Sequence, residues 1–354
     1  MTVVPSTAAA PSSLGWIAGR VEARIEAVLA AELDRWSGVD AELTDPFEAL
    51  RDLVSAGGKR LRPAFCHWAY VGAGGDPDDP TVVDAGAALE LLHTFALIHD
   101  DIMDGSATRR AMDTIHVRFE SRHQRGGWRG EGRRFGEGVA ILAGDLAFVY
   151  ADLMMAGASK AAGEVFTELR IEVNVGQYLD LVGTARGRIG EDAAQRICRF
   201  KSGKYTIERP LHLGAALAGR LDELGGPLSA YGLPLGEAFQ LRDDLLGVFG
   251  DDTVTGKPVG EDLREGKPTV LFALAAEVVG RGTALDRYGA DDLSGEEVAA
   301  LQEVLVESGA VDRVEQRIDG LVAEAVVAME RAPLTAEARR ALGDLAYYVA
   351  GRDH

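Results

Sequence analysis

The chain has 354 residues, a net charge of −19, 47% hydrophobic and 26% charged residues. That composition supports a sizeable globular core, and the acidic balance excludes a nucleic-acid partner, which needs a basic surface. The two cysteines, Cys66 and Cys198, fall in apolar segments. They read as buried free thiols of a reducing compartment rather than a disulfide.

Residues 1–13 carry small residues and Pro, with no basic region leading into an apolar core. They read as a disordered tail and not a signal peptide. An amphipathic helix is predicted over 14–36. Gly57-Gly58-Lys59-Arg60-Leu61-Arg62-Pro63 is a break followed by a helix with Pro near its first turn. A turn-rich loop at 72–80 precedes a long, mostly apolar helix over 81–103. Residues 120–138 form a Gly/Arg-rich connector, expected to be a solvated loop, with a lid as the alternative. Helices then start at Val139, Ala161, Glu191, Leu221, Leu233, Thr269, Ser294 and Thr335, with a charged loop at 250–268. β-branched alternation is rare and helix-period spacing is everywhere. The fold class is therefore all-α, with one domain over 14–354. No uncharged apolar run is long enough to span a bilayer, so a soluble protein with no membrane span is expected.

Two acidic clusters dominate: His99-Asp100-Asp101-Ile102-Met103-Asp104 and Arg242-Asp243-Asp244-Leu245-Leu246-Gly247. Both lie in apolar helical segments, where carboxylates are costly to bury without a cation or partner. Asp100 and Asp104, at i and i+4, share one helix face about 6 Å apart along the axis, and Asp101 turns about 100° away. Unpaired, such carboxylates repel. Mg²⁺ relieves the conflict, because it takes one or two carboxylates plus substrate phosphates. Two such clusters suggest two walls of one cavity with metal ions and a multiply charged anion between them. His99-Asp100 also resembles the metal dipeptide of HD-type phosphohydrolases, with His67, His93 and His116 as further candidates. That reading leaves the second cluster and the basic residues without a role.

Those basic residues are Lys59, Arg60 and Arg62 after two glycines, Arg109-Arg110 past the first cluster, Lys201 and Lys204 around Ser202-Gly203, and Lys257 and Lys267 past the second. Singly each reads as a surface charge. Together they suggest two anionic ligands, one held by metal plus Lys, the other by Arg and Lys alone.

At this point the chain resembles the trans-isoprenyl diphosphate synthases, or polyprenyl synthetases, from about residue 45 to 348. The resemblance rests on 57–63, on Asp100-Asp101-x-x-Asp104 with Arg109-Arg110, on Gly176-Gln177, on Lys201-Ser202 and on Phe239-Gln240-x-x-Asp243-Asp244. It implies an isoprenoid-synthase-type helical bundle with a deep central cavity, usually a cytoplasmic homodimer. By position, Lys59, Arg62, His93 and Arg110 match binders of isopentenyl diphosphate. Asp100 and Asp104 match the ligands of two Mg²⁺ ions, and Asp243 that of a third. Arg109, Lys201, Ser202, Gln240, Lys257 and Lys267 match residues around the allylic diphosphate, which would be dimethylallyl, geranyl or farnesyl diphosphate. Asp100, Asp104, Asp243 and Lys201 are the expected catalytic set.

The chain departs from the family pattern at three places. Gly247 stands where the second motif has a third aspartate; the first aspartate, Asp243, is the direct ligand, so activity is expected to survive, and Mg²⁺ titration of Gly247→Asp shows whether the loss weakens metal binding. Ser202 replaces the usual Thr and keeps the hydroxyl. Asp113 stands where Pro is common. Product length is read from the helix before Asp100, where Ala96 and Phe95 lie about 6–7.5 Å below it. Large at the fifth position and small at the fourth resembles geranylgeranyl diphosphate synthases, with a C20 product. Farnesyl or longer-chain synthases, and a class I terpene cyclase, are the alternatives. A catalytically silent partner subunit would be expected to lose the first cluster, which this chain keeps.

Overall fold

The computed structural model describes residues 10–187, 190–250, 260–280, 282–290 and 292–351. Among these the chain is helical apart from one two-stranded hairpin. It folds as two compact units. The first comprises Ser12–His67 and Pro77–Ala158, and the second chiefly Trp68–Asp76 and Ser159–His354.

In the first unit, helix α1 (Ser12–Ser37) buries Leu14, Ile17, Val21, Ile25 and Leu29. Three- and four-residue spacing gives one apolar stripe. The helix starts two residues inside the expected tail, and residues 1–9 of that tail lie outside the described residues. Helix α2 (Asp45–Ser55) and helix α3 (Leu61–Gly72) flank the expected glycine break. Helix α4 (Pro80–Asp104) is launched by Asp79, whose carboxylate accepts from the Thr81 N–H at 2.8 Å, with Pro80 in the first turn. It stops at Gly105, whose φ of 69° is the left-handed C-terminal cap that glycine supplies cheaply.

Helix α5 (Ile115–Gly126) and helix α6 (Gly132–Met155) follow. The 120–138 stretch is thus mostly helix, and only 127–131 link the two. Tertiary contacts hold these helices. Arg122 pairs with Asp45 at 2.5 Å and lies 5.8 Å from the Trp128 ring centroid, so the arginines have partners that local sequence does not reveal. Helix α6 buries Ala140, Ala143, Gly144, Ala147 and Ala151 and packs along α4. The approach is close, since a Cβ on Gly144 would lie 2.5 Å from His99 Cδ2. By length and composition alone, α4 and α6 are apolar enough to cross a membrane, contrary to the sequence reading. Their apolar windows are 61% and 44% buried in the fold.

In the second unit, helix α7 (Lys160–Arg186) is capped by Ser159. Helix α8 (Glu191–Ile197) runs through a π-helical stretch, Cys198–Glu208, into helix α9 (Arg209–Leu217). Helix α10 (Leu221–Phe249) merges the two helices expected at Leu221 and Leu233, and carries Pro227 and Pro234 inside it. Proline removes a helical hydrogen bond, but burial of this helix outweighs that loss. It packs on the π segment and on helices Ala310–Arg331 and Ala336–Ala350, and buried Tyr231 donates its hydroxyl to the Leu342 carbonyl at 2.7 Å. Helices Glu261–Glu265, Val270–Val279 and Gly295–Glu307 complete the unit. Cys66 and Cys198 are free and buried, as expected.

Candidate active site

The first acidic cluster forms the last turn of α4. Asp100 and Asp104 are half-buried, while Asp101 is 3% exposed. Arg109 donates Nε and Nη2 to Asp101 Oδ1 at 2.7 and 2.6 Å, and Nη2 lies 4.0 Å from Asp100 Oδ2. Burial opposes the Arg109 charge, but Asp101 and its neighbours outweigh that and hold the guanidinium protonated. Asp101 is thereby tied to Arg109, while Asp100 and Asp104 lie one turn apart on the same face of the helix. Two half-buried hard oxygen donors at this spacing fit Mg²⁺, which leaves the rest of its shell to water and phosphate.

Arg109 belongs to a two-stranded hairpin, Thr108–Arg109 with Met112–Asp113. Its turn residues Arg110 and Ala111 have φ of 53° and 59°. This is the turn geometry that Asn-Gly normally supplies, so the backbone is held in an unfavourable conformation at a basic residue. Arg110 Nη1 donates to the Leu53 carbonyl at 3.0 Å. Its Nη2 lies 2.9 Å from where a Cβ on Gly58 would fall, so glycine at 58 is what lets the guanidinium in.

Around half-buried His93 stand Arg62, Arg110, Arg109 and Arg60. Burial first, then these guanidiniums, push its imidazole well below the ordinary histidine range. His93 is therefore a neutral hydrogen-bonding group in a cationic pocket. Lys59 is exposed in the adjoining loop, and Arg62 is half-buried in the first turn of α3. Arg60 differs from both. It is 3% exposed, bonded to Glu22 at 2.9 Å and Glu90 at 2.7 Å, and is structural. Phe95 is half-buried, with its ring centroid 4.6 Å from His99 and 4.9 Å from Phe148. Ala96 beside it is also half-buried.

The second unit gathers another set. Lys201 and Ser202 sit on the π segment, a distortion common at functional sites. It is wedged between α7 and α10 by glycines. A Cβ on Gly176 would lie 2.6 Å from Lys201 Cα, and one on Gly236 2.6 Å from Gly203 Cα. Lys201 Nζ donates to Asp180 Oδ2 at 2.6 Å. Lys204 instead joins Glu172 and Glu208, and so belongs to a separate network with Arg209. On α10, Gln240 Nε2 donates to Asp244 Oδ1 at 2.6 Å. Asp244 is 6% exposed, and its carboxyl is pushed up to about 8, first by burial and then by Asp262, Asp243 and Asp180 despite the Gln240 bond. Asp243 is half-buried, so it is the solvent-accessible member. Lys267 Nζ lies 3.2 Å from Asp262 Oδ1 and 2.6 Å from Glu265 Oε2. Lys257 lies outside the described residues.

Sequence reasoning missed Asp180 and Asp262. Asp180 lies at i+4 from Gly176 on α7, and that spacing could have flagged it. Asp262 lies five positions before Lys267, and its role depends on packing against α10.

A helical fold carrying aspartate pairs beside guanidinium and lysine groups defines a diphosphate-handling enzyme. The polyprenyl synthetase family model matches residues 46–305. Over 310 residues the chain is 34% identical to a geranylfarnesyl diphosphate synthase of Aeropyrum pernix, covering 85% of this chain and 92% of that one. It is 35% identical to a geranylgeranyl diphosphate synthase of Methanosarcina mazei over 277 residues, 76% and 78% of the two chains. A geranylgeranyl pyrophosphate synthase from Corynebacterium glutamicum, complexed with isoprenyl diphosphate and magnesium, superposes with a TM-score of 0.90 at 38% identity, covering 95% of this chain and 99% of that one. The chain belongs to the polyprenyl synthetase family. It is a trans-prenyltransferase, as the sequence reading expected.

Proposed function

We propose that the protein condenses isopentenyl diphosphate with an allylic diphosphate, in a Mg²⁺-dependent reaction, to give all-E geranylgeranyl diphosphate and release diphosphate. The observation that carries this reading is the first unit's two distinct anion chemistries: the Asp100/Asp104 pair, and a separate cationic pocket around His93. A cyclase ionises one diphosphate and has no use for the second pocket. The C20 length is supported by the Phe95/Ala96 pattern and by relatives of that name.

Asp100 and Asp104 would hold two Mg²⁺ ions and Asp243 a third, and metal bound there would supply Lewis acidity toward the leaving diphosphate. Lys201, Ser202, Gln240, Lys257, Lys267 and Arg109 bind the allylic diphosphate. Asp180 aims the Lys201 ammonium. Lys59, Arg62 and Arg110 bind isopentenyl diphosphate, and neutral His93 adds a hydrogen bond without adding charge. The allylic C–O bond breaks, the isopentenyl double bond attacks the cation, and the proton leaves to the departing diphosphate. The apolar side chains of α4 before Asp100 exclude water from the cation.

Purified protein incubated with isopentenyl diphosphate, each allylic starter and Mg²⁺ tests this reading, and absence of any elongated product would sink it. Phe95→Ala is expected to shift the product from C20 to C25 or longer, because it opens the floor beside Phe148. An unchanged C20 profile by mass spectrometry would remove Phe95 from that role.

We also read the chain as one functional domain over 14–354, cytoplasmic, and dimeric. Buried thiols support a reducing compartment. Exposed Ile141, Leu142, Val149 and Leu153 on α6, and Ile171, Val175 and Tyr178 on α7, support self-association. Light scattering is expected to report a dimer that Leu142→Asp dissociates, and a wild-type monomer would overturn this.

A further inference from the structure

Gly247 reads from sequence as a lost ligand, one helical turn beyond Asp243 on α10. The space it leaves is filled. A Cβ at 247 would lie 2.6 Å from Asp262 Cγ and still closer to Asp262 Oδ2. The Asp262 carboxylate therefore lies in the volume that a side chain at 247 would take. We propose that Asp262 supplies the third carboxylate of the second metal wall, in place of residue 247. The inference rests on the Mg²⁺-dependent function proposed above.

Three observations support it. Asp262 is set by local geometry: its helix, Glu261–Glu265, is bracketed by Gly260 and Gly266, both left-handed with φ of 72° and 67°. Lys267 lies 3.2 Å from Oδ1, which orients the carboxylate. Residues 243 and 247 are i and i+4, so a carboxylate beside 247 lies one turn, about 6 Å, along the axis from Asp243. That is the same axial spacing as the Asp100/Asp104 pair on α4. The metal wall of α10 is thus completed from another helix, and Gly247 is the residue that admits it.

The assignment sets the outcome expected for Gly247→Asp. A new side chain there collides with Asp262 and should weaken metal binding instead of restoring it. The direct test is calorimetric titration of Mg²⁺ into the full chain with inorganic diphosphate, alongside Mn²⁺ binding counted by electron paramagnetic resonance. Asp262→Asn keeps the shape and removes the charge. It is expected to raise the half-saturating metal concentration about tenfold and to lower the ion count by one, with the metal-free melting temperature unchanged. Titration within twofold of wild type, with the full ion count, would overturn the assignment. Gly247→Ala is read in the same way if Asp262→Asn fails to fold, because its methyl must displace the carboxylate. Wild-type protein that binds no Mg²⁺ with diphosphate would overturn the proposed function as well. Normal wild-type binding with unaltered variants would overturn this inference alone.

Discussion

Asp104→Ala is expected to lower kcat by about 10³-fold while leaving the protein folded. The estimate follows from removing one preorganised charge contact to the leaving group, worth about 10²–10³ in rate, together with part of a metal's Lewis acidity. The structural cost should be small. Asp104 closes the last turn of α4 and shares its face with Asp100, so its removal relieves a like-charge i,i+4 pair. Steady-state kinetics should show the loss in kcat rather than in KM for isopentenyl diphosphate, because the Lys59/Arg62/His93/Arg110 pocket is untouched. Thermal melting without metal should match wild type or exceed it. A variant that retains kcat within threefold would remove Asp104 from the metal wall.

Arg60→Ala is expected to destabilise the first unit by about 3–5 kcal/mol, the usual cost of removing one partner of a buried ion pair. Arg60 and Glu90 are 3% and 2% exposed and bonded at 2.7 Å, and Arg60 also holds Glu22. Burial opposes the Arg60 charge, yet Glu90 and Glu22 outweigh it and keep the guanidinium firmly protonated. Truncation leaves buried Glu90 without the guanidinium it is bonded to. Arg60→Met with Glu90→Gln, which removes both charges, should recover much of the loss. Denaturant unfolding distinguishes the cases, and a loss below about 1 kcal/mol in the single variant would contradict the pairing. The neighbouring Arg62→Ala is half-buried at the pocket and should act on substrate binding, so two arginines two positions apart give opposite phenotypes.

This contrast shows what could be read from the sequence. Residues 57–63 announced a turn, a helix start and a basic group, because glycines and Pro63 act within a few residues. Which arginine pairs with Glu90 and which stays half-buried depends on α1 and α4, far away in sequence. The same holds at 120–138, where arginines that look solvated find Asp45 and Trp128. It holds again for α10, expected as two helices from Leu221 and Leu233, which tertiary packing keeps as one.

By itself, the sequence determined the all-helical class, the i,i+4 placement of Asp100 and Asp104, the glycine break before Arg62 and the family. These follow from helical periodicity, turn chemistry and ordered motifs, all carried by residues close together. Only the tertiary structure decided that Asp101 is locked by Arg109, that Arg60 is structural, that Asp180 aims Lys201, and that Asp262 stands in the space Gly247 vacates. Each depends on burial and on a partner from another element, and a charge's role is set by what it is buried against.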